Sequence, residues 1–430
     1  MFDPEAEALP WGEQQGLDDP LYRAQAARLF ADSRFYRAKL QAAGFRSAGD
    51  LGGIDAIAGL PFTEKDELRA SRAANDPVGT HLIPPLSEIA RIFSTSGTTG
   101  TPSYVPLTLE DIADWVHVSS RSYSASGVRR GHRLVSTYGA GPFVAGVTHI
   151  PVGGGNTDRL VAAIELLKAD TIALTPSYAL HIAEWAAGRG IDLAKSSVER
   201  LLVAGEPGGG EPALRARLET AWGAEVTEAM GIGDICISLW GECREKQGMH
   251  FSGRGYVHFE LIDPESGAPV PLADGVEGEL VYTHLRHRAG PLLRFRSRDH
   301  VRVWTSRCAC GRTAPRVRCI GRTDDMLIVR AVNVFPAALR EIIGEFSPQV
   351  SGMISVRPRH KGFRQDPPLP VLVELSAGGS PEAALAERIV RRVREALTVT
   401  TAIELVPHGS LPRSSYKSKL VDWSRATEAG

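Results

Sequence analysis

The sequence contains no apolar run near the roughly 20 residues that cross a bilayer, so no membrane association is expected. Neither sign of charge is in excess: 49 Lys and Arg stand against 50 Asp and Glu, a net charge of −1. That balance argues against an extended basic face for nucleic acid. There are only five cysteines, an odd number. The opening segment MFDPEAEALPWGEQQG is acidic and has no apolar core. Neither a disulfide framework nor a secretory signal is expected, and the expected location is cytoplasmic. Low-complexity tracts, charge blocks and internal repeats are missing. What remains is an ordinary globular composition, 43% hydrophobic and 23% charged, over 430 residues. That length exceeds one compact core and predicts two or more domains.

Residues 17–44 place Tyr22, Ala26, Leu29, Tyr36 and Leu40 on helical spacings and read as a helical lead-in. In LPFTEKDELRAS (60–71), Thr63 reads as the cap of a helix. From residue 90 to about 230, short apolar runs such as RLVSTYG, DTIALTP and VERLLVAGEP alternate with helical patterns. That alternation predicts an α/β sheet with crossover helices. Residues 250–305 hold short strands broken by Gly and Pro, which predicts a β-rich subdomain. After residue 323, DMLIVRAVNVF reads as strand, with a helix from Pro336. A second helix is expected from Ser380, with Leu385, Ile389, Val393 and Leu397 on one face. The expected fold class is α/β. A large N-terminal domain, residues 1–322, has mixed sheets and a β-rich subdomain; a small mobile α+β lid follows at 323–430.

Residues 94–103 read STSGTTGTPS, all Ser, Thr, Gly or Pro. Such a stretch cannot be helix interior, but its N–H groups and hydroxyls can wrap an anion. A phosphate loop of the GxxxxGK[ST] type carries a lysine, and this one has none. If it holds a polyphosphate, the positive charge must come from elsewhere.

The motifs gain meaning from their order. After STSGTTGTP come TPSYAL (175–180), AGEP (204–207), AMGIGD (229–234), GELVYT (278–283), LLRFRSRD (292–299), GRTDDMLIVRAVNVFP (321–336) and GSLPRSSYKSK (409–419). From LPFTEKDEL onward this series resembles the adenylate-forming superfamily, and within it the phenylacetate–coenzyme A ligase branch. The resemblance implies a two-step reaction: a carboxylate attacks the α-phosphate of Mg·ATP, and coenzyme A then displaces AMP from the acyl-adenylate. A small C-terminal domain turns between the steps.

It also implies residue roles. Thr95, Ser96, Gly97, Thr98 and Thr99 would cradle the β- and γ-phosphates. Gly205, Glu206 and Pro207 would line the adenine, with Ala229, Met230 and Gly231 below it. Asp299 would hold the ribose hydroxyls, Asp234 would hold Mg²⁺, Arg322 would face phosphate and ribose, and Asp324 would be the hinge. Lys417 would bring the missing charge to the reacting carboxylate and α-phosphate. Met230 stands where the family has Tyr, and Asp234 where it has Glu.

Cys243, His250, Cys308 and Cys310 form a set of three thiols and one imidazole suited to a closed, structural Zn²⁺ site. Cys236 and Cys319 are expected in the core. Tyr138, Phe143, His149, Gly154 and Tyr178 are the candidate liners of the acid pocket, and suit a flat aryl acid such as a benzoate, salicylate or anthranilate, or phenylacetate. Ala331 and Tyr416 replace family glycines on the lid, so a non-CoA acceptor, either a carrier protein or a hydroxyl or amine, stays open beside coenzyme A. A catalytically silent zinc-stabilised binding protein and a peptide-synthetase domain are the competing classes. Lys417 and Asp299 speak against the first, and the lack of a carrier domain after DWSRATEAG against the second. A homodimer is an allowed assembly.

Overall fold

The computed structural model describes residues 1–73, 75–95, 103–138, 143–330, 332–414 and 418–427, with backbone only at Thr95. The chain forms two compact units: Met1–His132 with Ala140–Thr148 and Glu228–Arg318, and Arg133–Gly139 with His149–Thr227 and Cys319–Gly430. Among the described residues no helix is long and apolar enough to cross a membrane.

The first unit opens with helices Trp11–Asp32 and Arg34–Ala42, joined at Ser33, whose hydroxyl accepts from Tyr36 N–H and caps the second helix. Tyr22, Ala26, Leu29, Tyr36 and Leu40 form one buried cluster with Leu285 and Leu293, as their spacing requires. Thr63 is not the cap of the helix Lys65–Ala70. Glu64 caps it through a reciprocal box with Glu67. Thr63 is instead taken up by the β layer: its hydroxyl donates to Leu293 O at 2.7 Å and its N–H to Arg294 O at 2.9 Å. Pairing with a strand outcompeted local capping.

The β layer of this unit begins with Val257–Ile262, Glu277–His284 and Phe295–Trp304 as neighbours. It continues through Arg316–Arg322, Met249–Phe251 and Cys236–Glu242 to Glu225–Ile232. Every register given for these pairs is antiparallel. This is the β-rich region that the Gly and Pro breaks predicted. Between Glu225–Ile232 and Cys236–Glu242 the register slips after Met230↔Trp240. The slip is possible because residue 231 is glycine: a Cβ there would lie 2.0 Å from Ile237 O. The tight turn that follows, closed by Ile235 N–H on Ile232 O at 2.8 Å, delivers Asp234.

In the second unit Arg133–Ser136, Thr171–Leu174 and Arg200–Val203 run parallel. They share a core with the helices Thr157–Leu167, Pro176–Ala187 and Pro212–Trp222. The tail of this unit has the hairpin Leu327–Val329/Val332–Val334 and the helix Pro336–Gly344. Strands Val350–Val356, Leu369–Leu375 and Thr401–Val406 form a sheet packed by the helix Ala383–Leu397. Leu385, Ile389 and Val393 are buried as expected. The helix starts at Ala383 rather than Ser380, because its first bonded N–H is that of Leu385, on Glu382 O.

Substituting Gly231→Ala should force the two strands apart. We expect a loss of about 3 kcal/mol in stability, measured by urea denaturation, with Asp234 displaced.

Candidate functional site

In the first unit the neutral loop is held at its ends. Strands Arg91–Thr95 and Ser103–Leu107 pair antiparallel, with Thr95 opposite Ser103. Ser96, Gly97, Thr98 and Thr99 lie outside the described residues, as does the Thr95 side chain. Two arginines stand at the base of the loop: Arg69 Nε donates to Ser103 Oγ at 3.2 Å, and the Arg72 guanidinium lies 5.7 Å from the Tyr104 ring centre.

Asp234 is buried, and its Oδ2 takes a 2.8 Å ion pair from Lys65 Nζ. The sequence reading missed Lys65, although it carries a signal. It occupies the first position of a helix, where the dipole disfavours a cation, so something outside the helix must favour it. Asp234 and His81 line one small pocket. His81 Nδ1 is buried without a partner among the described residues, and burial pushes the imidazole down to about 4. Ala229 is buried and Met230 half-buried beside the bulge at Gly231.

Asp299 lies on the strand Phe295–Trp304, its N–H on Ser297 Oγ at 3.0 Å. The three arginines before it are committed to glutamates. Arg294 binds Glu260, Arg296 binds Glu279 and Arg298 binds Glu64, each with a closest N···O distance of 2.7 to 2.8 Å. The arginine ladder therefore anchors the strand on which Asp299 sits. Phe143 is buried against Phe93 and Trp115 in edge-on contacts.

The cysteine cluster is also in this unit. The ligand atoms of Cys243, His250, Cys308 and Cys310 all lie within 4.8 Å of one another. Cys243 Sγ is 3.7 Å from Cys308 Sγ, and Cys310 Sγ is 3.4 Å from His250 Nε2. A disulfide would need about 2.05 Å. A tetrahedral Zn²⁺ with bonds of about 2.3 Å to S and 2.0–2.1 Å to N requires edges of about 3.8 Å and 3.6 Å. The donors fit that ion. His250 Nδ1 is buried without a partner among the described residues, which leaves the ring fixed by its Nε2 side. The adjoining loop clamps the N-terminal helix Pro4–Ala8: Arg312 Nε binds Glu7 Oε2 at 2.6 Å, and Thr313 N–H donates to Glu7 O. Cys236 is fully buried and its thiol is pushed up to about 12 by burial, while Cys319 is half-buried.

In the second unit the Gly205–Pro207 turn is bound on several sides. Gly205 has φ +89°, which favours glycine. Glu206 Oε1 accepts from Ser177 N–H at 2.8 Å, capping the helix Pro176–Ala187. Its Oε2 accepts from both the N–H and the hydroxyl of Ser418, at 2.7 and 2.8 Å. Ser418 follows Lys417 in sequence; Lys417, Tyr416 and Ala331 lie outside the described residues. The buried Arg340 donates to Pro207 O and binds Glu211 Oε1 at 2.7 Å. Arg413 bridges Glu374 at 2.7 Å and Glu184 at 2.8 Å.

Arg322 and Asp324 bind each other through two 2.8 Å hydrogen bonds. The expected pocket liners in this unit have diverse surroundings. Tyr138 OH donates to Ala204 O at 3.0 Å. Tyr178 is fully buried in the core, its hydroxyl 3.1 Å from Thr157 Oγ1, so it offers no free polar edge to an acid. Gly154 is exposed. His149 is half-buried, and burial lowers its pKa.

A family profile described as AMP-binding enzyme matches residues 19–284, and one described as AMP-binding enzyme C-terminal domain matches 331–425. The phenylacetate–coenzyme A ligase of Thermus thermophilus is 33% identical over 443 residues, covering 96% of this chain and 97% of that one. The phenylacetate–coenzyme A ligase of Pseudomonas putida is 31% identical, over 96% of this chain and 91% of its own. A 2-hydroxyisobutyryl-CoA ligase solved in its postadenylation state superposes with TM-score 0.87 at 26% identity, covering 98% of this chain and 92% of that one. The same ligase in its thioesterification state gives 0.69 at 27% identity, over 97% and 91%. With one profile spanning most of its length and relatives matching it nearly end to end, the chain belongs to the adenylate-forming AMP-binding enzymes, among the phenylacetate–coenzyme A ligase-like members of that family.

Proposed function

We propose that this enzyme activates a small aromatic carboxylic acid with Mg·ATP and passes the acyl group to the thiol of coenzyme A. One observation carries the reading. Both oxygens of the Glu206 carboxylate are engaged, one of them by Ser418, the residue next to Lys417 in sequence. The segment with the expected catalytic lysine is thereby tied to the turn expected to line the adenine. Lys417 supplies positive charge where the carboxylate attacks the α-phosphate, which the uncharged loop of Thr95–Thr99 cannot do. Asp299 offers two acceptor oxygens to the ribose hydroxyls.

Mg²⁺ would neutralise phosphate charge, and Asp234 would hold it; one carboxylate suffices for an ion that keeps most of its waters. Lys65 shares that carboxylate and adds a fixed cation near it. Arg322 and Asp324 form the hinge pair. The phenylacetate ligases among the relatives support an aryl acid. Ala331 and Tyr416, at family glycine positions, support the second reading, in which the acyl acceptor is not coenzyme A. We also infer that Cys243, His250, Cys308 and Cys310 hold one structural Zn²⁺, since the donor spacing fits a tetrahedral ion with no open position.

Three outcomes are expected. Acid-dependent ATP–pyrophosphate exchange should be fastest with phenylacetate or a substituted benzoate among a panel that includes 2-hydroxyisobutyrate; AMP release should then require coenzyme A, whereas release at an equal rate without it would favour the other acceptor. Lys417→Ala should lower the exchange by about 100-fold or more with an unchanged melting temperature. Metal analysis should find about one zinc per chain, and Cys308→Ser should lose it and melt at a lower temperature.

A further inference from the structure

The Gly205–Pro207 turn is completed by residues that lie far along the chain. Arg340 sits on the helix Pro336–Gly344 and is 7% exposed. Its Nη2 donates to Pro207 O, and its Nε and Nη2 form a fork on Glu211, which is 6% exposed. Glu211 is itself part of the same structure. It precedes the helix Pro212–Trp222, and its N–H closes a turn on Gly208 O at 3.0 Å. One guanidinium therefore fixes both ends of the segment 207–211, and Ser418 fixes the Glu206 side chain from a second place in the C-terminal sequence.

A cavity of about 200 Å³ lies beside the Arg340–Glu211 pair, lined by polar and apolar groups alike, among them Glu211, Leu214, Arg217, Arg340, Glu341 and Val350. Water can enter there and solvate the two charges when they part. A buried ion pair gives direction more than adhesion, because desolvation offsets much of its attraction. This is the property of a contact that is made in one arrangement and released in another. The related ligase has been solved in a postadenylation and a thioesterification state, and this chain superposes far better on the first.

We propose that Arg340 is a positioning residue for the adenylation step: by holding Pro207 O and Glu211 it sets the nucleotide-lining turn only while the helix Pro336–Gly344 is docked. The proposal rests on the adenylation reading above. The second half-reaction, run after the C-terminal domain has turned, does not use the contact. Arg340 touches no reacting atom and acts through the turn alone.

The test separates the two half-reactions. ATP affinity is measured by calorimetry, which needs no knowledge of the acid; the exchange assay reports adenylation; and thioester formation from synthetic acyl-adenylate and coenzyme A reports the second step. Arg340→Gln should weaken ATP binding and exchange by roughly tenfold, within the usual range of coupling between sites. Thioester formation should stay within about twofold of the parent, well below the tenfold coupling effect. The variant Arg340→Met with Glu211→Leu, which leaves no unpaired buried charge, should keep the parent melting temperature and show the same selective loss. Equal losses in both half-reactions, or unchanged ATP affinity in a folded variant, would overturn the proposal. A parent enzyme that binds ATP but exchanges with no acid would overturn the function reading instead, and the calorimetric comparison would still decide the role of Arg340.

Discussion

A buried carboxylate cannot be left alone, and that constraint organises both units of this enzyme. Removing an ionised oxygen from water costs several kcal/mol unless a cation or several N–H groups replace the water. Asp234 has Lys65, Glu211 has Arg340, Glu279 has Arg296, and Glu374 has Arg413. In each case the acid and the base come from different elements, so each pair also specifies which elements lie together.

The cysteine cluster does comparable work by different means. The strands around it are short, Met249–Phe251 having only three residues. Four donor atoms from residues 243 to 310 meet there, beside a hydrophobic core that includes Met249, Phe251 and Val317. A tetrahedral ion on these four donors would fix such a junction more tightly than side-chain packing of the same residues could, because each bond would have a defined length and angle.

Much of this was readable before any coordinates. The alternation of apolar runs and helical patterns gave the parallel strands of the second unit, and the Gly and Pro breaks gave the antiparallel region of the first. The spacing of Leu385, Ile389 and Val393 gave the buried face of its helix. Cys243, His250, Cys308 and Cys310, which cluster in the structure, stood out as residue types even though they are scattered from 243 to 310. What was not readable depended on tertiary competition. Thr63 looks like a cap, yet an adjacent strand claims its hydroxyl and its N–H. Tyr178 looks like a pocket wall, yet the core takes its ring and Thr157 its hydroxyl. Lys65 and Arg340 were missed because a single cation in a helix is usually solvent-facing. Lys65 stands at the helix end that repels cations, and Arg340 interrupts the apolar stripe of Ala337, Leu339, Ile342 and Ile343. Both are local inconsistencies that only a distant partner resolves.

The clamp between Glu7 and Arg312 joins positions 305 residues apart. The same turn, Pro4–Ala8, is held a second time through its cap Asp3, which pairs with Arg121, so two segments distant in sequence seat it from two sides. Because Arg312 stands two residues after Cys310, whatever loosens the cysteine cluster would also loosen the hold on this turn.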